Sequence, residues 1–169
     1  TESGSDRPNN PAALSMVDAP VRTVGGACVA FGYILVDDRG GDFDIAVEWQ
    51  PVDDRGGEAG TLEPATEHRG PVTLVGGKTV ESDGARGIAV EGNRPRSLRF
   101  VWDARADLRR ALGSPVARVR MRIAAVEPGV GPGEVLITEP FVAGNEPPRI
   151  LSIVPLSSGG RIPVDVVVA

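Results

Sequence analysis

The chain has 169 residues, enough for one well-cored domain with an appendage and short for two full domains. Its net charge of −5 supplies no basic field, so neither nucleic acid nor an anionic membrane surface is expected among its partners. With Gly 22, Pro 15 and only 4% aromatic residues, the composition favours short strands joined by tight turns over a helical bundle.

Residues 1–11 are polar, end in Asn9-Asn10-Pro11 and read as a linker rather than a signal peptide. Residues 14–17 are expected to form a short first strand. Residues 27–36 follow, with Val29, Phe31, Tyr33 and Leu35 on one face and Ala30, Gly32, Ile34 and Val36 on the other. Both faces are apolar, so this strand should be central and covered on both sides. It is also the longest apolar stretch, and it is well short of the ~20 residues that span a bilayer. Cys28 is the single cysteine, which excludes a disulfide framework within the chain and a cysteine zinc site. Set among Ala27, Val29 and Phe31, it reads as a small core residue.

After an Asp37-Asp38-Arg39-Gly40-Gly41 turn, residues 44–50 alternate, with Ile45, Val47 and Trp49 inward and Asp44, Ala46, Glu48 and Gln50 outward. A second Asp-Asp-Arg-Gly-Gly at 53–57 opens a long insert, 51–96, with weak strand candidates at 71–75 and 88–90. Leu98, Phe100 and Trp102 form the next inward-facing strand. Asp103 is expected to cap a short helix reaching Leu112 and stopped by Gly113. In residues 117–126, Val119, Met121 and Ile123 alternate with Arg118, Arg120 and Arg122. Residues 134–142 supply a last strand, which Pro140 places at an edge or bulge.

These elements predict an all-β fold, a two-sheet immunoglobulin or fibronectin type III-like sandwich with one short helix between late strands, over residues 12–145. The end of the chain repeats its beginning. Pro11-Ala-Ala-Leu-Ser-Met-Val17 aligns with Pro148-Arg-Ile-Leu-Ser-Ile-Val154, and Val29, Phe31, Tyr33 and Leu35 with Ile162, Val164, Val166 and Val168. Residues 146–169 therefore read as the first strands of a following repeat or, alternatively, as an exchanged C-terminal tail.

The sequence resembles the fibronectin type III-like or immunoglobulin-like modules of large bacterial surface and secreted proteins. The matching features are Val29-Ala-Phe-Gly-Tyr-Ile-Leu-Val-Asp37, Ile45-Ala-Val-Glu-Trp49, Phe100-Val-Trp-Asp103 followed by Asp107-Leu108, Val119-Arg-Met-Arg-Ile123 and Phe141-Val-Ala-Gly-Asn145. The cysteine pair and tyrosine corner of antibody domains are absent, and the 51–96 insert departs from the compact pattern. The resemblance implies no catalytic residues and no cofactor, an extracellular or cell-surface location, and neighbouring modules or other subunits as partners.

Motifs that carry chemistry are thin. Gly70 to Thr79 superficially resembles a phosphate-binding loop, but Val72 stands where the motif needs its first glycine, and no helix follows. His68 has no second histidine or cysteine beside it, and Ser82, Ser97, Ser114, Ser157 and Ser158 lack a nucleophile-elbow context. Asp37, Asp38, Asp42 and Asp44 form one acidic cluster and Asp53, Asp54 and Glu58 another. These suit turns better than calcium, and they flank one strand at opposite ends. Arg118, Arg120 and Arg122 are expected to pair across strands with Asp44 or Glu48 rather than bind polyanions. The expected function is non-catalytic: a structural, spacer or assembly module, with head-to-tail assembly through the tail as one route. The alternative is recognition of carbohydrate or a protein partner through the 51–96 insert.

Overall fold

The computed structural model describes residues 11–145, 150–155 and 164–168. Apart from Pro11, the linker expected over residues 1–11 lies outside the described residues. The elements begin with β1 (Ala13–Arg22), β2 (Val29–Val36) and β3 (Gly40–Pro51). The insert contributes β4 (Glu63–Pro64), β5 (Val72–Thr73), β6 (Thr79–Val80) and β7 (Ile88–Glu91). Then come β8 (Arg96–Trp102), helix α1 (Ala104–Leu112), β9 (Val116–Glu127), β10 (Gly131–Ile137), β11 (Phe141–Gly144), β12 (Ile150–Pro155) and β13 (Val164–Val168).

The protein is mostly β, built from antiparallel sheets. One sheet has the order β1-β2-β8. A larger one runs β10-β9-β3-β4, with β11 also on β9 and β7 also on β3. The hairpins β5-β6 and β12-β13 each form a two-stranded sheet. Alternation along the strands explains the core: Val29, Phe31, Tyr33, Leu98, Phe100 and Trp102 of the first sheet meet Ile45, Val47, Trp49, Val119, Met121 and Ile123 of the second in one buried cluster. At its centre Trp49 and Trp102, both 0% exposed, have ring centroids 5.5 Å apart.

The doubly apolar β2 is covered on its second face as well. Ala30 and Cys28 pack there with Val101, Leu74 and Val80, so the β5-β6 hairpin of the insert lies over that face. The helix forms where Ala, Leu and Arg, all good helix formers, follow Asp103. Gly113 adopts φ 65° and donates its amide to the Arg109 carbonyl, which ends it.

Three expectations need correction. The first strand does not stop at residue 17. It continues to Arg22 through register shifts on either side of Asp18, because a bulged edge strand tolerates the Ala19-Pro20 pair. The last strand is two strands, broken at Thr138–Pro140. Ile137 lies opposite Arg122 and Phe141 opposite Val119, so three residues face two. Thr138 repairs the gap: its amide donates to the Met121 carbonyl at 3.0 Å and its hydroxyl accepts from the Met121 amide at 3.0 Å. Finally, Asp103 stands at the helix N-cap position but its side chain makes no capping bond. The carboxylate that matters is Asp107, 1% exposed and turned inward.

Truncating Trp49 or Trp102 to Ala should cost ~3–5 kcal/mol, enough to unfold a marginal domain, because each leaves a large cavity between the sheets. Chemical denaturation of the two variants checks this, and a midpoint close to wild type for either would contradict the shared core.

Candidate interaction surface

The free edge of β8 shows where the insert goes. The Thr66 carbonyl accepts from the Asp103 amide at 2.8 Å, and the His68 amide donates to the Val101 carbonyl at 2.8 Å. Glu67 forms an isolated antiparallel bridge with Trp102. Further along the same edge, the Asp83 amide donates to the Arg99 carbonyl at 2.9 Å. The Arg99 amide donates to Asp83 Oδ2 at 2.7 Å and the Val101 amide to Ser82 Oγ at 3.2 Å. Segments of the insert thus occupy a sheet edge that would otherwise present unpaired backbone groups.

Asp107 anchors this arrangement. Its Oδ2 accepts from the Thr66 amide at 2.8 Å and from Trp102 Nε1 at 2.8 Å. Its Oδ1 accepts from the Thr66 hydroxyl at 2.8 Å and from Arg110 Nη2 at 2.9 Å. One carboxylate therefore ties the insert, the end of β8 and α1 together with charge-assisted bonds.

The residues singled out in the sequence fall into ordinary structural places. Gly76 and Gly77 form the turn between β5 and β6. Lys78 precedes β6, and its carbonyl accepts the Leu74 amide at 2.7 Å. Ser82 Oγ donates to Glu67 Oε2 at 2.7 Å. Asp37 Oδ2 accepts from the Arg39 amide at 3.0 Å, and Asp53 Oδ1 from the Arg55 and Gly57 amides at 2.9 and 2.8 Å. Asp44 is not an arginine partner; its Oδ1 accepts the Gly87 amide at 3.0 Å. Among the described residues no group of three or more His, Cys, Asp or Glu side chains is placed to hold a metal.

The arginine ladder pairs largely as expected. β3 lies beside β9, and Glu48 stands opposite Arg122 with Oε1 to Nη1 at 2.9 Å. Arg120 bonds Gln50 Oε1 from Nε at 3.2 Å and from Nη2 at 2.9 Å, and reaches Glu58 Oε1 at 3.4 Å. Such exposed pairs each contribute only ~0.2–1 kcal/mol.

Among several surface depressions, one lies in the insert and one beside the β1 bulge. An open recess of about 490 Å³ in the insert is lined by Glu67, Arg69, Glu81, Ser82, Asp83 and Arg86. A second, of about 330 Å³, is apolar and lies where the β1 bulge faces the break between β10 and β11. Met16, Ala19 and Pro20 form one wall, and Ile137, Pro140 and Phe141 much of the other. Ile137 is 55% exposed there, and Val17 and Val142 on the same strands are also exposed. Pro20 and Pro140 each remove a backbone donor, which discourages strand addition within the cleft itself. No motif marks this cleft in the sequence, because two irregularities far apart in the chain create it. Among the described residues no helix is long and apolar enough to cross a membrane.

Two buried acids are held in their neutral forms. Burial pushes the Cys28 thiol up to about 11, with Asp103 adding to the shift and Arg105 opposing it. Burial also raises the Tyr33 phenol, helped by Asp83 and Glu67 and opposed by Arg96.

No protein-family model and no curated protein matches the chain.

The raised thiol and phenol set a pH dependence. Both folded-state values lie above the unfolded ones, so their contribution is complete below the unfolded thiol pKa of about 8.5 and is lost as pH rises through the folded values. Melting temperature should hold up to about pH 8 and fall between about pH 9 and 11. Cys28 should resist thiol reagents at about pH 8 until denaturant is added; rapid labelling of the native protein would contradict its burial.

Proposed function

We propose that this chain is a non-catalytic structural module of a larger bacterial surface or secreted protein, a sandwich of the fibronectin type III or immunoglobulin kind that acts as a spacer in a tandem array. The strand orders support the sandwich reading. β1-β2-β8 corresponds to strands A-B-E of an immunoglobulin-like fold, and β10-β9-β3-β4 to G-F-C with an added C′ strand. The insert segment at 66–68 then takes the place of strand D, beside E. Trp49 on the C strand supplies the inward aromatic of such sandwiches.

One observation carries the tandem reading: two consecutive pairs of the β1-β2 register recur in β12-β13, next to a register shift between Ile150 and Ser152. Ser15 lies opposite Ile34 and Met16 opposite Tyr33. At the aligned positions Ser152 lies opposite Val167 and Ile153 opposite Val166. Sequence similarity over two short strands is weak support by itself, but similarity in the same pairing register adds an independent geometric match. The exit from the module is also defined. Gly144 takes φ 79° with no room for a Cβ beside the Pro115 carbonyl, the Arg22 guanidinium donates to the Gly144 carbonyl at 3.3 Å, and the Asn145 amide donates to the Pro115 carbonyl at 3.2 Å. A spacer needs such a fixed departure point.

The second reading, recognition of carbohydrate or a protein through the insert, draws on the open recess at Glu67 to Arg86. Against it, the insert has no Trp or Tyr to stack a sugar ring, and much of its backbone closes the β8 edge.

A chain shortened after Asn145 should melt cooperatively at an unchanged midpoint, read by the fluorescence of the buried tryptophans. Loss of cooperative melting would contradict a self-contained module followed by the start of another.

A further inference from the structure

We infer that β12 is a second version of the edge strand β1 and can take its place on β2 of another copy of the chain, joining copies head to tail. The inference uses the same repeat as the spacer reading but fails separately. A shortened chain that does not fold defeats the module, whereas the absence of exchange between copies defeats only this step.

The acceptor is the edge of β2 that β1 occupies. β1 is held there by a regular run of pairs, Ala13 to Val36, Leu14 to Leu35, Ser15 to Ile34 and Met16 to Tyr33, and past two register shifts by Asp18 to Gly32, Val21 to Ala30 and Arg22 to Val29. Its side chains are half-buried or exposed throughout, and only Leu14 and Met16 join the core from it. It is therefore the least embedded strand of its sheet and the one whose replacement disturbs least. The donor carries the same string. Leu14-Ser15-Met16-Val17 becomes Leu151-Ser152-Ile153-Val154, with Leu, Ser and Val retained and the β-branched Ile, a better strand former, in place of Met.

At two pairs, Ser152 with Val167 and Ile153 with Val166, β12 meets β13 as Ser15 and Met16 of β1 meet β2, and the register of β12 shifts between Ile150 and Ser152. Releasing it from β13 costs little, because a two-stranded unit is marginal in water. The exchange keeps the pairing of the Leu-Ser segment and gives up the Asp18–Gly32, Val21–Ala30 and Arg22–Val29 pairs and the Asp18–Arg99 ion pair of β1. These contacts hold β1 in place together with its tether to its own β2, the tether alone being equivalent to an effective concentration on the order of mM. Exchange should appear when protein concentration approaches that range or when chains refold together. Donor and acceptor are different surfaces, so the contact does not close on itself and generates open chains rather than a two-fold dimer.

A disulfide trap tests this in the full-length chain. In a Cys28→Ala background, Ile34→Cys and Ser152→Cys occupy positions that become register partners when β12 lies on β2, and a disulfide between chains requires the β2 of another copy. Antiparallel partners have Cα atoms ~4.5–5.5 Å apart, within disulfide range. After refolding under oxidising conditions, a reduction-sensitive ladder of dimers and larger species should form, its share rising with protein concentration. Leu151→Cys in place of Ser152→Cys should give no ladder, since a one-residue slip places the thiols on opposite faces. Monomers alone, a disulfide confined to one chain, or equal ladders from both variants would overturn the inference. Should the Ile34→Cys chain lose its native tryptophan fluorescence, light scattering on the wild-type chain refolded at ~mM concentration decides instead: a mass above the monomer that falls on dilution supports exchange, and a monomer throughout overturns it.

Discussion

The bond between Asp107 and the Trp102 indole is the constraint on which the rest of the arrangement depends. Trp102 sits at the centre of the core against Trp49, and its Nε1 must find an acceptor if it is to be buried without a large penalty. The first turns of α1 supply one from five residues further on. Asp107 must in turn satisfy its remaining lone pairs, and it does so by binding Thr66 twice and Arg110 once. The chain between Trp49 and Trp102 is thereby drawn back onto the edge it has to close. A core aromatic, a helix and a long insert are fixed by one side chain.

Edge management runs through the rest of the molecule. β8 is closed by residues 66–68 and 82–83, and the outer face of β2 by the β5-β6 hairpin. β1 and the β10-β11 pair are instead interrupted, by a bulge and a break, and each carries a proline. Residues 66–68, 82–83 and the β5-β6 hairpin of the insert thus serve as structural cover. On the bulged and broken side an apolar cleft opens.

The sequence made the regular strands legible for a simple reason. In β3, β8 and β9 one face is buried, so Ile45, Val47 and Trp49, Leu98, Phe100 and Trp102, and Val119, Met121 and Ile123 alternate visibly with polar neighbours. The outward Arg122 could be matched with Glu48 because pairing of β3 with β9 follows from the same topology. What could not be read has no period. Thr66 and Asp107 are 41 positions apart and meet through one backbone-to-side-chain and one side-chain-to-side-chain bond, and the strands of the insert are two to four residues long. Asp103 and Asp107 look alike as candidate helix acids; only the demand of the buried Trp102 indole decides that Asp107 turns inward. The cleft was invisible because Pro140 read only as an edge or bulge signal in its own strand, and only the fold brings that break face to face with the irregularity at Pro20.

Native-state hydrogen exchange, residue by residue, tests most directly the claim that Asp107 binds the insert to the β8 edge. In the wild-type chain the Thr66 and His68 amides should be protected at a level approaching that of the β9 core strand. In an Asp107→Asn variant those two should lose protection while the β9 amides keep theirs. Thr66 and His68 amides that exchange in the wild-type chain as fast as free loop amides would contradict the account.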